Sequence, residues 1–151
     1  GVFEATIAKF TALAVLLPVV AGQSGNAGAQ ALAVTMRGLA LREITVSHWY
    51  KVMLKETFVG FYNGIAIALT TAAGVYFWSS SPGLSFIIAL SMVIAMVAAG
   101  LSGALIPITL RRLGQDPAQS SSIFLTTVTD VVGFLSFLGI ATLLSGLLSP
   151  T

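Results

Sequence analysis

The chain has 151 residues, of which 56% are hydrophobic, 8% are charged and none is Cys. Soluble domains carry about 25% charged residues, so a water-soluble globule is excluded, as are a disordered chain and a disulfide-stapled scaffold. A net charge of +2, scattered along the sequence, also excludes a nucleic-acid-binding surface, which leaves an all-α polytopic membrane protein.

Apolar runs far longer than the roughly ten alternating residues of a membrane strand argue against a barrel. Four runs are each long enough to cross a hydrocarbon core about 30 Å thick. They are predicted at about 3–36, 57–78, 84–110 and 123–148, within one transmembrane domain covering 1–151. The first is strongly apolar over 5–21 and less so to Met36, and its inner half is expected to be broken or extended. The chain starts at Gly1, already close to an apolar run and without a basic leader, so it is expected to derive from a longer protein that has lost an earlier span.

Near the start of the first span, Lys9 is expected to snorkel to the interface, and Glu4 to stand where cations arrive. The stretch Pro18-Val-Val-Ala-Gly-Gln-Ser-Gly-Asn-Ala-Gly-Ala-Gln30 follows. Gln23, Asn26 and Gln30 are spaced i, i+3 and i+7, which aligns three amides on one helix face. Pro18 cannot donate to the carbonyl of Ala14 and is expected to kink the helix. Glycines and amides in hydrocarbon are tolerated where helices pack closely or line a wet cavity. There is no strand before the glycines and no Gly-Lys-Ser/Thr, so this is not a phosphate loop.

Residues 37–56 carry Arg37, Arg42, Glu43, Lys51, Lys55 and Glu56 and read as a polar connection, with His48, Trp49 and Tyr50 as interfacial anchors. In the second span Gly60 and Gly64 form a close-packing pair, and Asn63 is read as interhelical glue. Residues 79–83, Ser-Ser-Ser-Pro-Gly, are an uncharged turn. Ser91, Ala95, Ala99 and Gly103 form a small-residue ridge on the third span, and Pro107 should bend it. The next connection carries Arg111, Arg112 and Asp116, the last either a helix cap before Pro117 or an acid at the mouth of a cation path.

Lys and Arg mark the cytoplasmic side. The first and third connections hold them and the second has none, so both ends of the chain and the Ser-Pro-Gly turn are expected outside. Asp130 reads as the one acid well inside a span, roughly 10 Å along the helix from Ile123. A carboxylate there costs about 2.5–3.5 kcal/mol on insertion scales and needs a partner or a wet path. Thr126 and Gly133 share its face. No Lys or Arg lies at comparable depth, so a cation is the expected partner. The donors are all oxygens, which suits a hard ion, and an ion that keeps its waters suits few carboxylates and many dipoles. A single Asp per chain calls for a two-fold dimer around the ion. Neither a zinc cluster nor a Ser–His–Asp set is present, and no enzyme activity is expected.

These segments resemble the MgtE family of magnesium channels. The resemblance spans almost the whole chain and rests on Phe3-Glu4-Ala5, the 18–30 stretch, Arg37-Gly-Leu-Ala-Leu, Lys55-Glu-Thr-Phe-Val-Gly-Phe-Tyr-Asn-Gly64, Asp116-Pro-Ala and Thr126-Thr-Val-Thr-Asp-Val-Val-Gly133. It implies a C2 homodimer in a bacterial inner membrane, with a central pore lined by the first and fourth spans and Mg²⁺ held mainly in hydrated form. Asp130, Asn26 and backbone near Gly133 would form the central site, and Asp116 would act at the cytoplasmic end. Ala27, Thr126 and Gln30 complete the candidate metal-binding set. The family has five spans and a cytosolic magnesium-sensing domain that gates the pore; the first span and that domain have no counterpart in this sequence. The rival readings are a gradient-coupled divalent cation carrier and a structural membrane subunit in which Asp130 is glue.

Overall fold

The computed structural model describes residues 4–9 and 11–148, with side chains at all but Ala5, Ala8 and Lys9 among them. Among the described residues every regular element is helical. α1 spans Glu4–Lys9, α2 Thr11–Ala40, α3 Trp49–Ser79, α4 Pro82–Arg112 and α5 Pro117–Leu143. One-turn 3₁₀ segments occupy Val46–His48 and Ser145–Leu147. Four helices, α2 to α5, are long and apolar enough to cross a membrane. Phe3, the side chain of Lys9 and the uncharged tail 149–151 lie outside the described residues.

The helix ends follow from local chemistry. Ser80 closes α3 in the left-handed region at φ 50°, its N–H donating to the Tyr76 carbonyl. Ser81 then caps α4, its side chain accepting from the Leu84 N–H, with Pro82 in the first turn where no donor is needed. Asp116 and Pro117 repeat the arrangement at α5. Arg111 and Arg112 lie in the last turn of α4, where cations complement the helix dipole.

Four expected boundaries shift. The connection read over 37–56 is much shorter, because α2 runs to Ala40 and α3 already begins at Trp49. At 1.5 Å per residue α3 is about 46 Å long, more than the hydrocarbon core requires, so its first turns can carry exposed Lys51 and Lys55. The last membrane helix starts at Pro117, earlier than 123, because the Asp-Pro cap starts it before the apolar run, and it ends at Leu143. The 18–30 stretch is helical throughout, and α2 continues through Pro18.

α4 is the centre of the bundle. It is the most apolar and most buried of the four, and α2, α3 and α5 all pack on it. Ile87, Ile88, Met92 and Met96 of α4 meet Leu13, Leu16 and Val20 of α2, Ala68 and Val75 of α3, and Phe137 and Ala141 of α5. The ridge Ser91, Ala95, Ala99 and Gly103 is buried, as expected. Gly60 and Gly64 seat α3 against α4 so closely that a Cβ on Gly60 would stand 2.6 Å from the Met96 carbonyl oxygen. Gly103 does the same toward α2, where an added Cβ would be 2.7 Å from the Gly28 carbonyl oxygen. The outside of the bundle is apolar: Phe58, Tyr62, Leu69, Phe77 and Trp78 of α3 are exposed, as lipid-facing residues must be.

The two charged connections lie together. Arg111 Nη1 donates to the Leu39 carbonyl at 3.1 Å, and Arg112 Nη2 to the Val46 carbonyl at 2.9 Å. The Arg112 guanidinium also stands 5.5 Å from the Trp49 ring centroid. At the other end the Thr6 and Thr142 hydroxyls are 3.0 Å apart, and Gly83 abuts the backbone of Leu147. α1, the end of α5 with the Ser145–Leu147 segment, and the Ser-Pro turn thus share the end opposite the basic connections.

Candidate functional site

α2 has two working faces. One meets α5. Val20, Ser24 and Gly28, four residues apart, are buried there, with a Cβ on Gly28 3.0 Å from Leu125 Cδ1 and 3.2 Å from Thr129 Cγ2. From the α5 side, a Cβ on Gly133 would be 3.4 Å from Ser24 Oγ. Gly133 is therefore where α5 lets α2 approach. Its carbonyl accepts the Ser136 hydroxyl at 3.0 Å, a partner that the sequence pattern did not single out.

Asp130 is partly buried, one turn before Gly133. Among the described residues no Lys or Arg pairs with it. Thr126, one turn earlier, is exposed, and its hydroxyl donates to the Ser122 carbonyl at 2.9 Å, so its oxygen keeps acceptor capacity toward the surface. Thr129 is buried and donates to the Thr126 carbonyl. The Asp130 face is thus a carboxylate beside hydroxyls and closely packed backbone. No cluster of three or more His, Cys, Asp or Glu occurs among the described residues.

The other face of α2 carries the amide stripe. Gln23, Asn26 and Gln30 do share one side of the helix, and with Ala27 they line a recess of about 230 Å³. The opposite wall is α3, through Asn63, Ala66 and Ile67, with Met96 of α4 also lining it. The recess exists because α2 and α3 both lean on α4 and scarcely meet each other. Asn63, read as glue, is exposed toward this space. Asp130, Thr126 and Gly133 do not line it. Asn26, Ala27 and Gln30 are thus grouped with α3, and Asp130, Thr126 and Gly133 lie on α5.

A second lobe of about 130 Å³ continues the recess, sharing Ala27, Gln30, Asn63 and Met96 with the first. It is lined by Glu56, which is 4% exposed. The sequence reading placed Glu56 in a polar connection and singled out only Asp130 as an acid well inside a span. Instead Glu56 lies in α3, one turn before Gly60, and its carbonyl faces Gly100 of α4. The legible signal was the four-residue spacing Glu56, Gly60, Gly64, which extends the packing face by one turn. Asp116 is exposed and caps α5, its Oδ1 accepting from the Ala118 N–H at 3.0 Å. The capping role is observed, and it leaves the second carboxylate oxygen available.

Comparison with known proteins agrees with this architecture. Residues 17–140 match the family model MgtE, described as a divalent cation transporter. The chain is 39% identical over 142 residues to a magnesium transporter MgtE of Thermus thermophilus, covering 94% of this chain and 31% of that protein. Proteins of the same name from Enterococcus faecalis and Bacillus subtilis are 35% and 33% identical, each over 93% of this chain and 31% of their own length. The chain thus spans about a third of the length of the relatives it matches. With the family model covering most of the sequence and all four membrane-length helices lying wholly or largely within the matched region, the chain belongs to the MgtE family of divalent cation transporters.

Proposed function

We propose that this chain forms the membrane pathway through which hydrated Mg²⁺ passes into the cytoplasm, as a channel built by two copies around a two-fold axis. The observation that carries the reading is Asp130: a carboxylate on a membrane-length helix, partly buried, with no cationic side chain among the described residues to neutralise it. Such an acid needs a mobile cation or water. Two copies beside the axis supply two charges to one divalent ion, and α2 and α5 are the helices that would line the path. One carboxylate per chain with hydroxyls and carbonyls nearby suits an ion that keeps its shell, because each bound water can donate to these acceptors. The basic connections would face the cytoplasm, with Asp116 at the inner mouth. The relatives, named as magnesium transporters, support the choice of ion.

The test is Mg²⁺ influx into liposomes holding the intact protein. Asp130→Asn keeps the shape and removes the charge, and flux should fall by about tenfold or more. Hexaamminecobalt(III), which mimics the hydrated ion and cannot shed its ligands, should block flux through Asp130. Unchanged flux in Asp130→Asn rejects the site. A requirement for a Na⁺ or H⁺ gradient rejects the channel in favour of a coupled carrier.

A further inference from the structure

The slot between α2 and α3 has its own carboxylate, and the pathway proposed through Asp130 makes no use of it. Glu56 is 4% exposed, and a buried carboxylate is costly unless something neutralises it. Its one ion pair among the described residues is with Lys55, at 3.8 Å, and that lysine side chain is 68% exposed. Neighbours at i and i+1 do not face each other on a helix, and a charge in solvent is screened. Lys55 therefore compensates Glu56 poorly. Among the described residues no Lys or Arg lines either lobe.

The walls add amides and no further charge. Gln30 and Asn63 border both lobes, and Gln23 and Asn26 border the larger one. A water needs about 10–15 Å³ of such space, so the 130 Å³ lobe at Glu56 admits a cation together with its waters. One carboxylate could not replace a full hydration shell, whereas amide and carboxylate oxygens can accept from the bound waters of a hard cation. We propose that this slot is a second cation site, in which Glu56, Gln30 and Asn63 hold a hydrated divalent ion through its waters, apart from the Asp130 face. Only the choice of a divalent ion rests on the proposed function.

The test reads the slot directly, in the intact protein carrying Asp130→Asn, so the outcome at Asp130 does not enter. The chain has no cysteine, so Ala66→Cys at the slot can carry a trifluoromethyl label as the one such label on this chain. Mn²⁺ should broaden its fluorine signal saturably, and Mg²⁺ should reverse the broadening. Glu56→Gln should raise the half-saturating Mn²⁺ concentration by about tenfold, and Glu56→Asp should raise it less. The same label on Thr109→Cys, in an apolar groove between α4 and α5, should show no saturable effect. Absence of saturable broadening at the slot, or equal titrations with and without the Glu56 charge, overturns the proposal. If Glu56→Gln does not fold, Gln30→Leu with Asn63→Leu takes its place: a severalfold weaker titration supports the site and an unchanged one overturns it.

Discussion

Asp130 and Glu56 are both carboxylates on membrane-length helices, yet they are held differently. Asp130 is partly open and stands on α5 among threonines, near the seam where Gly133 meets Ser24. Glu56 is almost fully covered, borders a slot that presents the amides of Gln30 and Asn63 among apolar residues, and has a solvent-exposed lysine beside it. In the roles proposed above, the first would exchange a cation with a path and the second would keep one. The difference comes from the neighbouring helix: α2 packs directly on α5 but stands off from α3 across α4. An acid's depth in the membrane says little about its role until the helix opposite is known.

The strongest way to break this comparison is to remove the slot's frame. Gly60→Val puts a branched side chain where even a Cβ would lie 2.6 Å from the Met96 carbonyl oxygen, and backbone cannot yield as a side chain does. It should cost about 1–3 kcal/mol or more and show as a lowered melting temperature or loss of monodisperse protein in detergent. Gly25→Ala, where an added Cβ meets nothing within 4 Å, should be close to neutral by the same assay.

A double-mutant cycle sharpens the comparison further. If Asp130 and Glu56 serve separate ions, the effects of Asp130→Asn and Glu56→Gln on Mg²⁺ flux should add within about 0.5 kcal/mol. A larger coupling would mean that the two acids share one ion or one conformational step. The smallest effect is expected at Asp116. Asp116→Ala removes the cap on the Ala118 N–H and should cost about 1 kcal/mol of stability. Asp116→Asn keeps the cap, so any loss of flux in that variant measures the charge alone.

Much of this was legible in the chain because it is local. Apolar runs of membrane length mark the four helices, and Ser-Pro and Asp-Pro mark two of their starts. The spacing of Gln23, Asn26 and Gln30 placed them on one face, as found. Their neighbour was not legible: the period of a helix fixes which residues stand together, not which helix stands opposite. Asn26 and Gln30 were read with Asp130, and within one chain they line a slot with Asn63. Glu56 was missed for a related reason. Four charges within 43–56 look like a solvated connection, and only the passage of α4 beneath Gly60 shows that one of them is covered.

The turn between α3 and α4 bears on how the protein is made. Only Ser80 and Ser81 separate the two helices, and their facing glycines let the backbones meet without rearranging any long side chain. A pair joined so tightly can enter the bilayer as one helical hairpin, with its packing energy available before α5 has left the ribosome. α4, the most apolar segment, would carry the charged start of α3 to its place at the interface. The slot would then be a product of assembly order, closed on its second side only when α2 settles against the finished hairpin.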